Sequence, residues 1–141
     1  MADTNSKSVF TDEEKAAMRE RAREAREFKK LSGEEQVQRK IAEMDSHDQE
    51  MAQRLHKLIL GISDKLSTKT WYGMPAYYLG DKIICFYQSA SKFKVRYSTF
   101  GFQEAANLDE GTFWPTSYAL TKLTKEVENQ IVELVKKAIS S

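Results

Sequence analysis

The sequence predicts an α+β fold: a two-layer sandwich in which two apolar helices pack on one face of an antiparallel sheet, preceded by a charged helical extension. Three observations carry this. Apolar residues recur at helical spacing over residues 46–62 and again over 124–139. Between them, from about Leu66, the period shortens to two. The strand-like stretches are joined by hairpin-length connections such as Gly80-Asp81 and Ser89-Ala90-Ser91, and such short links pair strands antiparallel.

Taken in order, residues 1–10 read as a disordered tail and residues 11–44 as the charged extension. Its first helix runs from Thr11 to about Lys30. Thr11 followed by Glu14 has the form of a capping box, and Asp12, Glu13 and Glu14 suit the positive end of a helix. The apolar stripe is thin: Met18, Ala22, Ala25 and Phe28. Ser32-Gly33 breaks the pattern, and a second piece over residues 34–44 carries Val37, Ile41 and Met44. The α+β domain is expected over residues 45–141. Ser46 with Gln49 reads as a second capping box, opening a core helix with Met51, Leu55, Leu58, Ile59 and Ile62 on one face.

The first strand is expected around Trp71-Tyr72, interrupted or turned at Gly73-Met74-Pro75 and continuing through Leu79. Residues 82–88 form the second. Residues 92–100 alternate most cleanly, with Phe93, Val95, Tyr97 and Thr99 on a dry face and Lys92, Lys94, Arg96 and Ser98 on a wet one. Residues 103–108 read as a short helix, and Trp114-Pro115 opens an extended stretch through Leu120. Thr124 caps the closing helix, striped by Val127, Ile131, Leu134, Val135 and Ile139.

The totals narrow the function. The chain of 141 residues has room for one domain and an appendage, and a formal net charge of +1 argues against general affinity for nucleic acid or anionic membrane. Cys85 is the only cysteine, which excludes an intramolecular disulfide and a cysteine-based zinc site. The opening residues lack the apolar core of a secretory signal, and no apolar run approaches the roughly 20 residues that span a bilayer. A soluble, cytoplasmic protein is expected.

The stretch Trp71-Tyr72-Gly73-Met74-Pro75-Ala76-Tyr77 resembles the YdhG-like domain family. So do the Gly80-Asp81-Lys82 turn, the Ile84-Cys85-Phe86 strand and the Lys92-x-Lys94 pair that follow. The resemblance covers roughly residues 45–139. The helix opened by Phe10-Thr11-x-Glu13-Glu14 is similar to an extension carried by actinobacterial-type members. These domains of unknown function are grouped by fold with frataxin. The resemblance therefore implies a frataxin-like sandwich and, through the family's iron-chaperone label, an iron-binding or iron-donor role.

Asp45, His47, Asp48 and Glu50 are the metal candidates, since carboxylates and an imidazole within one helical turn offer oxygen and nitrogen ligands to iron or manganese. Acids in a first turn also stabilise the helix dipole without any metal. Lys92, Lys94 and Arg96, with Tyr72, Tyr78 and Phe86 on neighbouring strands, compose a candidate ligand or partner face, where cations meet anionic groups and aromatics stack. Its alternative is a solvated face that protects the sheet from aggregation. One local conflict favours a covered face. Ile83-Ile84-Cys85-Phe86-Tyr87 is apolar on both sides, so the extension, a partner or a ligand is expected over the second face.

Gly73-Met74-Pro75 is expected to bend the chain, Trp71 and Trp114-Pro115 to anchor the core, His56 to sit at a boundary, and Cys85 to be buried and inert. A pocket near Tyr72, Tyr77 and Trp114 is the place an enzyme would need. The chain has no Gly-rich phosphate loop, no Gly-x-Ser-x-Gly elbow and no Cys–His pair with an orienting group. The expected function is a non-enzymatic binding module for a protein or small ligand, without cofactor, acting through the second sheet face. The alternative is a frataxin-like iron donor.

Overall fold

A computed structural model describes residues 9–141, so most of the expected tail lies outside the described residues. The chain divides into two compact units, the first ending at Ser32 and the second spanning Gly33–Ser141. In the first, helix α1 (Asp12–Lys29) begins with the expected capping box. Thr11 Oγ1 accepts from the Glu14 amide and Glu14 Oε1 accepts from the Thr11 amide. The helix contains no buried residue, as its thin stripe foretold.

The second unit begins at Gly33, not at Asp45. Helix α2 (Gly33–Ile41) buries Val37 and Ile41 in the main core and packs on the first two strands. The helical layer therefore has three members instead of two: α2, α3 (Ser46–Leu60) and α5 (Lys125–Ala138). Gly33 explains itself sterically. A Cβ there would fall 1.9 Å from the Thr68 carbonyl oxygen, so the helix can approach the strand this closely only without a side chain.

The sheet has five antiparallel strands in chain order: β1 (Leu66–Trp71), β2 (Met74–Leu79), β3 (Lys82–Gln88), β4 (Ser98–Phe102) and β5 (Ser117–Leu120). Trp71 pairs with Met74 across a two-residue turn, Tyr72-Gly73, and both turn residues have positive φ, 49° and 76°. That is the conformation whose twist matches a tight hairpin. The bend lies one residue ahead of the expected Gly-Met-Pro corner, with Met74 and Pro75 already in strand. Gly80, at φ 64°, turns β2 into β3.

The dry face carries Tyr77, Cys85, Tyr87, Phe100, Phe102 and Leu120, all buried against Leu55, Ile59, Ile131 and Val135 of the helices. Each such side chain contributes about 1.5–3 kcal/mol on burial. Cys85 is fully buried, and burial pushes its thiol far above the ordinary range, as expected of an inert cysteine.

The expected strand over residues 92–100 is the main departure. Ala90–Phe93 instead forms one helical turn, α4, capped by Ser89 and ended by Lys94 in the left-handed region at φ 55°. The strand begins only at Ser98, in the opposite phase: Ser98 and Phe100 are buried, while Phe93, Val95 and Tyr97 are exposed. Residues 103–108 form turns and not a helix. The cap of α3 is Asp45, whose Oδ1 accepts from the Asp48 amide, and not Ser46. Thr124 caps α5 as read. None of the described helices is long and apolar enough to cross a membrane.

Candidate functional site

The double-sided strand resolves into two environments. Tyr77 pairs with Cys85 and Tyr78 with Ile83, so Ile84 is an extra residue on β3. This bulge lets Ile84 join Cys85 and Tyr87 in the main core while Phe86 stays on the opposite face. Met74 and Ala76 are also buried, yet they lie outside the main core cluster. By strand alternation they share the second face with Trp71, Tyr78 and Phe86.

That face is aromatic. The Trp71 and Phe86 rings meet at 5.4 Å between centroids, tilted by 57°. Trp71 also holds Tyr72 edge-on at 5.1 Å, although Tyr72 itself is 84% exposed at the hairpin tip. The Phe86 ring lies over Gly101, where an added Cβ would come within 2.4 Å of its Cζ. Further along the face the Lys69 ammonium stands 5.5 Å from the centre of the Tyr78 ring. Tyr78 is half-buried, and burial raises its phenol above the ordinary value. An open trough of about 360 Å³ adjoins this platform, bounded by Trp71, Ile83 and the Gln103–Ala105 turn. Trp71 is therefore a half-exposed face residue, not a core anchor.

The expected ligand face divides. Tyr78 and Phe86 are on the platform and Tyr72 at its tip. Lys92, Lys94 and Arg96 are not on a strand at all. They belong to α4 and the turn after it, which is tied to α3 and to the turn before it: Ser89 Oγ donates to Asp48 Oδ2 of α3 at 2.6 Å, and Lys92 pairs with Glu43 in the α2–α3 turn. Arg96 lies over the Tyr97 ring at 5.0 Å and lines a small hollow of about 130 Å³ with His47 and Asp48. The cation that does face the aromatics, Lys69, sits in Ser67-Thr68-Lys69-Thr70. Its polar composition hides the strand, but the β-branched Thr68 and Thr70 at period two were a legible signal.

The four metal candidates are each engaged elsewhere. Asp45 caps α3, and His47 Nε2 bonds the Thr121 carbonyl at 2.8 Å. Asp48 accepts from Ser89 and from the Ser91 amide at 2.9 Å, and Glu50 is exposed beside Arg54. Among the described residues no three His, Cys, Asp or Glu side chains gather as a metal site. Adjacent positions on a helix start point in different directions, and here each finds a separate partner.

One polar chain escaped the sequence reading. His56 is buried, not a boundary residue: Nδ1 is 2.9 Å from the Tyr77 hydroxyl and Nε2 is 2.7 Å from Glu34 Oε1. A carboxylate only accepts, so Nε2 carries a proton. Burial opposes ionisation of Glu34, but hydrogen bonds from His56 and Gln38 outweigh it and hold the carboxyl below its ordinary value. With Tyr77 fully buried, the chain fastens α2 to α3 and β2.

No family model, curated protein or solved structure matches the chain.

Proposed function

We propose that this protein is a non-enzymatic binding module whose second sheet face receives a flat, largely apolar group of a protein or small ligand. The observation that supports this reading best is the Trp71–Phe86 ring pair beside the Lys69–Tyr78 contact, with the open trough alongside. Stacking offers affinity to any planar group at about 0.5–1.5 kcal/mol per ring pair beyond area burial, and Lys69 adds a preference for an anionic end. The Tyr72–Tyr77 motif and the sheet-plus-helices arrangement are consistent with a YdhG-like domain.

The test is an NMR screen of the full chain against planar aromatic carboxylates. Binding is expected to shift Lys69, Trp71, Tyr78 and Phe86 together. Gly101→Ala, which displaces the Phe86 ring, is expected to weaken any such hit by about tenfold, equivalent to about 1.4 kcal/mol. Hits that cluster elsewhere, or that Gly101→Ala leaves unchanged, would refute the assignment of the face.

A further inference from the structure

We infer that the free edge of β5, together with the facing side of α5, is a docking site for an extended polypeptide carrying a basic–x–apolar–x–basic pattern. The site is separate from the aromatic face.

Among the described strands none pairs with the outer edge of β5. On its inner edge the Phe102 amide donates to the Thr116 carbonyl at 2.7 Å, in register with the Phe100–Tyr118 and Ser98–Leu120 pairs. In an antiparallel ladder hydrogen-bonded positions alternate, so Ser117 and Ala119 turn their N–H and C=O groups to the open edge. Both residues are exposed. Two donors and two acceptors in a row are a template for one more strand.

Side chains supply the rest. Between β5 and α5 lies a cavity of about 180 Å³ with Phe100, Leu120, Val127, Ile131 and Leu134 in its wall, room for one apolar side chain. It adjoins a shallower shelf along α5 lined by Tyr118, Glu126, Glu133 and Lys137. The Lys137 ammonium is held 2.7 Å from Glu110, whereas Glu126 and Glu133 form no ion pair among the described residues. Beside these two carboxylates the groove and shelf set Lys122, at the loop end, and Lys137, whose charge is already paired with Glu110. The helix wall is therefore complementary to a basic partner.

Spacing fixes the pattern. Glu126 and Glu133 are two turns apart, about 10.5 Å along the helix axis at 1.5 Å per residue. In an added strand, side chains facing the helix recur every second residue, so those flanking a central apolar one stand about 13 Å apart. Two long basic side chains bridge that small difference. One apolar side chain fills the cavity between them.

The probe is an end-capped peptide, Thr-Lys-Thr-Leu-Thr-Lys-Thr, titrated into the full chain and followed by amide NMR. Saturable shifts centred on Tyr118, Ala119 and Leu134 are expected, with affinity about tenfold above that of the peptide with Glu in place of Lys. Ala119→Pro removes an outward donor without touching the ladder to β4 and is expected to abolish the shifts. Should that variant not fold, Glu126→Lys with Glu133→Lys decides, by inverting the preference between the two peptides. No shifts at millimolar peptide, shifts elsewhere, or an unchanged preference in the charge-reversed variant would overturn the proposal. So would a concentration-dependent dimer lost in Ala119→Pro, which would give the edge to a second copy of the chain. A result confined to Trp71, Tyr78 and Phe86 bears on the aromatic face and counts against this site.

Discussion

Asp48 is nearly fully buried, and its carboxylate accepts from the Ser89 hydroxyl at 2.6 Å and the Ser91 amide at 2.9 Å. Burial alone would raise its pKa, but these hydrogen bonds, with His47 nearby, more than reverse that and hold it below the ordinary value. A carboxyl depressed in the folded state stabilises the protein above its unfolded pKa of about 4, and that contribution drains away as pH falls through the folded value. Asp48→Asn is therefore expected to lose about 1–3 kcal/mol at neutral pH. Chemical denaturation at a series of pH values checks this: the gap between variant and parent should narrow on acidification, and a constant gap would refute the linkage. The same carboxylate explains why residues 92–97 do not form the strand that their pattern suggests. Lys-Phe-Lys-Val-Arg-Tyr alternates like a strand, and alternation is all that local sequence displays. What overrides it is a partner 41 residues earlier that fixes the Ser89 cap. The polar chain of Glu34, His56 and Tyr77 was hidden for the same reason, its members lying 21 and 22 residues from His56. Local contacts such as Thr11 with Glu14 were legible because both partners fall within one turn.

Among the elements, α2 shows most clearly how packing can reverse a propensity argument. Alanine is preferred to glycine inside helices by about 1 kcal/mol, an upper bound at the first helical position that Gly33 occupies, so Gly33→Ala would if anything stabilise an isolated segment. In the folded unit the new Cβ meets the Thr68 carbonyl, main-chain atoms that no rotamer change can move aside. Overpacking of this kind costs about 1–3 kcal/mol and wins. A lower denaturant midpoint for Gly33→Ala is expected, and an unchanged or higher one would mean that α2 does not sit closely on β1. The longer helices α1, α2, α3 and α5 and the β2–β3 hairpin are readable because periodicity and turn chemistry agree there. The start of β1 is hidden in the sequence because Ser67-Thr68-Lys69-Thr70 lacks apolar alternation. The second face was half legible: the apolar run from Ile83 to Tyr87 announced it, but the bulge at Ile84 decided which of those side chains reach it.

Taken whole, the chain places its stability in Gly33–Ser141 and leaves α1 with no buried residue. Two truncations that look alike in sequence should therefore behave differently. Removing residues 1–32 deletes exposed, charged helix and is expected to shift unfolding free energy by no more than about 0.5 kcal/mol, the range of ordinary surface changes. Removing residues 1–44, at the boundary the sequence suggested, also deletes Val37 and Ile41, which are 0% and 1% exposed, and strips His56 of Glu34. Two buried aliphatic side chains contribute about 3–6 kcal/mol together. Single domains of this size have only about 5–15 kcal/mol in total, so the shorter fragment should be marginal or unfolded at room temperature. Circular dichroism and urea unfolding of the two fragments test this directly. Equal stability would return α2 to the extension, and loss of folding in the longer fragment would show that α1 is part of what holds the domain together.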